Sequence, residues 1–449
     1  MSRPHSFPTS SAVSRRRFIG IGGALAAGGL LAACGGEEPV TGGGGDAAPA
    51  STLGTTSGAS GSIRILDDNT NPVFLNGVVE AFQNDTGITV EYEQANFNDL
   101  HDRLATLFSA QDSSYDVVMT WAAWSAEFGQ AGWLQALGSD AVPTDLLPAA
   151  LDAVSWNGTV YGLPKFASAQ TMFYNKELFR QAGLDPEAPP ATWDEFVAAA
   201  KALTTGDRYG FTCDMGNTDG AYQNFVRTLL LNGGQMYGDD NTVTFNDERG
   251  VEALTKLRDL LTVDKVMNPS SLQITNASDL GTLFGAGQTG IVFNWPSQWA
   301  AATKEGAVVG RENTGNAIIP GISVTTASID GSEGFAINQF SQNKPAALAW
   351  LQYVTQRPVQ TRIVEEEGWF PVTTTLLDDA AITETLPVVS TYKEQSDFEI
   401  RRYGSPWYSD VTQVLSTNIS RAMLEQATPQ EALDEAAARA TDIVERYTG

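Results

Sequence analysis

SIRILDDNTNPVFLNGVVEAFQNDTGITVEYEQANFNDLHDRLATLFSAQDSSYDVVMTW, residues 62–121, is the stretch on which the fold turns. Ser62–Asp68 alternates as a strand does, and Phe74, Val78 and Phe82 then recur at the four-residue spacing of a helix. Asn84-Asp85-Thr86-Gly87 ends that helix, since glycine accepts the left-handed backbone of a C-terminal cap. A second strand over 88–94, a second helix lined by Leu100, Leu104 and Leu107, and a third strand over 115–121 follow. Strand, helix, strand, helix, strand at this spacing predicts a parallel sheet with helices on its faces, an α/β architecture.

Upstream lies SRRRFIGIGGALAAGGLLAACGG, residues 14–36. Its apolar run from Phe18 to Ala33 is short for a spanning helix, which needs about 20 apolar residues. Arginines, a short apolar core and small residues read instead as an export signal, residues 1–33, of the twin-arginine type. Leu31-Ala-Ala-Cys34 resembles a lipobox, where cleavage precedes the cysteine and its thiol receives lipid. The following stretch to residue 61 is rich in Gly, Ser, Thr, Ala and Pro, a flexible linker with a reach of roughly 30 Å. Export is the expectation, with the product anchored by lipid to the outer face of the cell membrane, or to the periplasmic side of the envelope. The lipid is expected to be its only membrane attachment.

The folded remainder exceeds the ~250–300 residues at which one core stops growing, so two lobes are expected. The formal charge is -26, and losing Arg3, Arg15, Arg16 and Arg17 with the signal takes it to -30. So acidic a body repels nucleic acid and anionic lipid. Cys213 is the one cysteine besides Cys34 and reads as a buried small residue. Farther on, Asn157-Gly158 marks a hairpin, and Thr192-Trp-Asp-Glu195 a capping box. A helix follows with Val251, Leu254, Leu257 and Leu261, and Thr428-Pro-Gln-Glu431 opens the last one.

Catalytic machinery is sparse. His101, at the start of an amphipathic helix, reads as a surface residue, and the other histidine, His5, leaves with the signal. No phosphate loop or metal-ligand spacing is present, so no cofactor and no metal are expected. A two-carboxylate glycosidase stays open among 53 acids, though none stands out. Tryptophans are the abundant feature. Trp121, Trp124, Trp295, Trp299, Trp369 and Trp407 fall beside polar residues near predicted strand ends, where open α/β sheets bind ligands. Aromatic faces beside amides and carboxylates suit sugars. Trp133 and Trp350, within helical patterns, are assigned to the core.

YDVVMTWAAWSAEFGQAGWLQAL (115–137) and WNGTVYGLPKFASAQTMFYNKELFRQAGLDPEAPPATWDEFVAAAKALT (156–204) resemble the family 1 extracellular solute-binding proteins of bacterial ABC sugar importers. LLLNGGQMYGDD (229–240), GAGQTGIVFNWPSQW (285–299) and GFAINQFSQNKPAALAWLQYV (334–354) extend the likeness, and RRYGSPWYSDVTQVL (401–415) is nearest to the maltose/trehalose-binding branch. The resemblance implies a two-lobe periplasmic-binding-protein fold, type II-like, its parallel-sheet lobes joined by a hinge. Lobe 1 would hold 62–167 plus 332–371, and lobe 2 would hold 168–331 plus 372–449. It implies a monomeric, non-enzymatic receptor that closes on a sugar, a mono- or oligosaccharide or glycoside, and hands it to membrane permease subunits. The alternatives are a receptor for a polyamine, glycerol phosphate or a metal chelate, and an exported carbohydrate-active enzyme.

The resemblance also implies ligand positions. Asp68 and Asn69 follow the first strand, Gln94 ends the second, and Trp121 and Trp124 follow the third. The hinge contributes Phe166, Ser168 and Gln170, and the second lobe Asp219, Gln223 and Trp295. Glu333, Trp369, Arg402 and Trp407 complete the set. Related sugar binders often carry an acid where Ser168 falls, an aspartate where Trp121 falls and an aromatic near Glu333. These departures imply a different pattern of ligand hydroxyls.

Overall fold

The computed structural model describes residues 53, 54, 56–206, 208–216, 218–401 and 404–448. The export signal, Cys34 and nearly all of the linker up to residue 55 lie outside the described residues, as does Arg402. The strands are β1 (Ser62–Asp68), β2 (Thr89–Ala95), β3 (Val117–Trp121), β4 (Ser155–Trp156), β5 (Thr159–Val160), β6 (Gly162–Phe166) and β7 (Thr171–Asn175). After them come β8 (Tyr209–Phe211), β9 (Thr289–Asn294), β10 (Thr314–Ala317), β11 (Ala327–Ile329), β12 (Glu333–Ile337) and β13 (Glu399–Arg401).

Two main sheets result. The first runs β2-β1-β3-β12-β6 and the second β10-β7-β9-β8. β1 pairs parallel with β2 and with β3, as the spacing of the opening segment predicts. β12, returning from more than two hundred residues away, wedges in antiparallel between β3 and β6. The second sheet is also mixed, with β8 parallel to β9 and β7 antiparallel to both its neighbours. The expected parallel sheets are therefore mixed, because local periodicity carries no information about a strand that arrives from elsewhere in the chain. β3, β6, β7, β9 and β12 are buried along their whole length, as strands covered on both faces must be.

Three segments run between the sheets side by side. Ala167 bridges to Phe370 and Ala169 to Asp330, while the Ser168 backbone N–H donates to Ser332 Oγ at 3.0 Å.

Several local expectations meet the structure directly. Asn157 and Gly158 turn between β4 and β5 with φ of 51° and 76°. Thr192 and Glu195 form a reciprocal capping box, and Thr428 and Glu431 cap the last helix with Pro429 at its first position. Others shift. Phe74 belongs to a 3-10 turn (Pro72–Phe74), and Gly77, at φ 137°, separates it from the helix Val78–Thr86. In the helix Phe97–Ser109, Phe108 rather than Leu107 fills the buried position after Leu104. In the helix Glu248–Thr262 the buried positions are Gly250, Ala253, Leu254, Leu257 and Leu260, with Val251 and Leu261 half-buried beside them. Trp350 is fully enclosed, and Trp133 is half-buried against Phe108 and Phe128. Cys213 is buried, which pushes its thiol up to about 12. No helix among the described residues is long and apolar enough to cross a membrane.

Candidate functional site

A cleft of about 480 Å³ opens at the C-terminal ends of β1, β2 and β3 and is faced by residues of the second sheet's lobe. That size falls in the range of small-molecule pockets. Three indole rings line it: Trp121, the last residue of β3; Trp295, directly after β9; and Trp369. Each is held from behind. Trp369 stacks on Phe166 with centroids 4.2 Å apart and planes within 7°, so Phe166 is a buried platform and does not reach the cleft. Trp121 meets Trp124 edge-on at 5.9 Å, and Trp124 stacks on Phe97 at 5.4 Å. Trp295 passes over Gly331, where a Cβ would lie 2.4 Å from the ring. The indole N–H groups of Trp121 and Trp369 are buried and donate to nothing among the described residues. Such donors call for an acceptor.

The polar lining is amide, hydroxyl and carboxylate: Asn69, Thr70, Asn96, Asn98, Gln223, Asn276, Ser297, Asp214, Asp219, Asp279 and Glu333 among others. No lysine, arginine or histidine is among the described lining residues. Asp219 accepts from the Tyr408 hydroxyl at 3.0 Å, and burial raises its carboxyl above the ordinary range. Burial does the same for Asp214.

Seven of the residues named from the sequence line this cleft: Asn69, Trp121, Asp219, Gln223, Trp295, Glu333 and Trp369. The others do not. Asp68 is fully buried and committed to Lys165 and to the Thr70 backbone N–H. Gln94 is half-buried, its amide 3.4 Å from the Asn71 carbonyl. Ser168 is buried on the inter-sheet segment, its hydroxyl without a partner among the described residues. Gln170 accepts from Arg227, which lies enclosed over Phe293 and is pushed down to about 10 by burial. Trp407 packs edge-on against Tyr237 in the core rather than facing the cleft. Trp299 is likewise a core residue.

Phe97, Asn96 and Asn98 went unnamed in the sequence reading although they follow β2, as Asn69 follows β1. The strand-end rule that singled out the tryptophans could have found them. Asn276 and Asp279, at the start of the helix Ala277–Gly285, carry no such signal, because no strand precedes them. Tyr222 and Tyr408 join Trp121 and Trp295 around a small apolar recess beside the cleft.

His101 departs from expectation. It is largely buried between Asp102 at 3.0 Å and Glu127 at 3.1 Å, with Ser409 Oγ 2.9 Å from its Nε2. Burial alone would lower its basicity, but Glu127 and Asp102 outweigh this and hold it above the ordinary range.

The sequence profile of bacterial extracellular solute-binding proteins matches residues 67–361. Among curated proteins, a "Probable ABC transporter-binding protein" of Deinococcus radiodurans is 24% identical over 72% of this chain and 79% of its own length. A mannitol-binding protein of Pseudomonas aeruginosa is 29% identical over 60% of this chain and 63% of its own. Among solved structures, maltose-bound MalE3 of T. maritima aligns with a TM-score of 0.79 at 23% identity, over 86% of this chain and all of that one. That likeness carries the two-lobe fold.

Proposed function

The chain belongs to the bacterial extracellular solute-binding proteins, and from that premise we propose that it captures an uncharged, hydroxyl-rich solute, a sugar or polyol, in the cleft between its lobes. One observation supports this most: three indole faces and a ring of amides and carboxylates with no cationic side chain among the described lining residues. C–H faces of a sugar stack on the rings, while hydroxyls reach the amides, the acids and the unpartnered indole N–H groups. A phosphate ester would want cationic side chains there, and the described lining offers carboxylates instead. The cleft's charge argues against glycerol phosphate. The mannitol-binding relative and the maltose-bound neighbour make both solute classes reasonable probes.

Capture proceeds by hinge closure, and the closed form is presented to the ABC permease without bond cleavage. The segments at 167–170, 330–332 and about 370 serve as the hinge. Lobe 1 then holds 62–167 plus 332–371, and lobe 2 holds 168–331 plus 372–449. Lipid on Cys34, after export through a twin-arginine signal, keeps the receptor near its permease, and the receptor acts as a monomer.

Titration calorimetry with maltose and D-mannitol, with chromatography of the recovered solute, tests the central reading. Binding with the solute intact supports it. Turnover, or binding confined to anionic solutes, refutes it. Mass spectrometry of the mature N-terminus tests the anchor, which an unmodified Cys34 would exclude.

A further inference from the structure

Beneath the cleft, Lys165 of β6 is enclosed and its Nζ lies 2.8 Å from three carboxyl oxygens, Asp67 Oδ1, Asp68 Oδ2 and Glu333 Oε2. All three carboxyls are buried, and one ammonium cannot offset three negative charges in a poorly solvated site. The site must therefore keep a proton, and the hydrogen bonds indicate which carboxyl holds it. Asp68 accepts from Lys165, from the Thr70 backbone N–H at 2.7 Å and from Asn71. Asp67 accepts from Lys165 and from the Tyr92 hydroxyl at 2.5 Å. Among the described residues Glu333 has the lysine alone, and that contact is close without being a directed hydrogen bond.

Among the described residues, the neighbouring elements bring no further cation. β3 places Trp121 opposite Glu333, β2 adds Tyr92, and the turn after residue 363 adds Glu367, a carboxyl that burial pushes up to about 7. Across the cleft stand Asp214, Asp219 and Asp279.

We propose that Glu333 meets the cleft as an un-ionised carboxylic acid, kept so by the two aspartates that occupy Lys165, and that it donates its proton in a hydrogen bond to the bound solute. Burial among those acids also raises the Glu333 carboxyl well above its ordinary range. The donor role rests on the sugar or polyol reading, whereas the retained proton does not.

Carbon-13 NMR of full-length protein labelled at the glutamate carboxyl carbons separates the two. At pH 7 without solute, in a Glu367→Gln background that removes the other raised glutamate, a resonance at the position of an un-ionised acid should be present, absent when Glu333→Gln is added, and moved to the carboxylate position when Asp67→Asn is added, where Lys165 is released to Glu333. Glutamates that are all ionised at pH 7 would overturn the proposal. So would an un-ionised resonance that persists in a folded variant carrying both Glu333→Gln and Glu367→Gln. Calorimetry with maltose and D-mannitol then reads the donor. The dissociation constant should rise up to tenfold per pH unit beyond the Glu333 midpoint and stay level in Glu333→Gln. A level profile in the native protein would overturn the donor role. Failure of both probes to bind at every pH, with the resonance in place, would count against the sugar reading while upholding the retained proton.

Discussion

At the scale of single residues, the cleft depends on what stands behind each ring. Trp295→Ala should weaken binding of maltose or D-mannitol by more than about 1 kcal/mol in calorimetry. The empty protein's melting temperature should change little, because Trp295 is only partly buried. Gly331→Ala is a sharper variant, since its methyl would displace that ring without removing it. A loss of affinity comparable to that of Trp295→Ala is expected, with unchanged circular dichroism. Lys165→Met leaves three buried carboxyls without their cation and should cost about 3–5 kcal/mol in urea denaturation at pH 7. The cost should shrink on acidification. Asp67 titrates at about 6, above its unfolded value, so its contribution to stability is full below that unfolded value and is lost as pH rises through 6. The types of these residues were legible in the sequence, and seven of the fifteen named ligand positions line the cleft. The sequence does not show that Lys165 consumes Asp68, or that Phe166 is the platform and Trp369 the surface. A strand end tells which residues lie near the mouth, not which neighbour turns each side chain inward.

Among the secondary-structure elements, caps and turns could be read at once because each is specified within four residues. Gly158→Ala would force a side chain into left-handed backbone at φ 76° and should lower stability by about 1 kcal/mol, measured by denaturant titration. The helix Tyr408–Met423 was foreseen only as a C-terminal segment, yet it docks Ser409 onto His101 and Glu127 and Tyr408 onto Asp219. Since folding raises the basicity of His101, its contribution is full below the unfolded value near 6.5 and is lost as pH rises through the folded one. His101→Gln should therefore destabilise by about 1 kcal/mol at pH 5 and by little at pH 8, a contrast that paired thermal melts would read.

Across the whole molecule, the proposed closure couples solute to stability by mass action. Maltose or D-mannitol at a hundred times its dissociation constant should add about 2.7 kcal/mol, seen as a rise in melting temperature. Small-angle scattering should show a smaller radius of gyration at the same concentration. What the sequence determined by itself was the α/β class and the parallel β1, β2 and β3 core, with the caps, the hairpin and the family likeness. Those follow from spacing and backbone chemistry over a few residues. Only tertiary structure decided that β12 enters the first sheet antiparallel, bringing Glu333 against Lys165 and Trp121, and that His101 is closed over by Ser409. Such pairings join residues up to some 300 positions apart. Burial and charge compensation at those meetings select them, and neither is written in local periodicity.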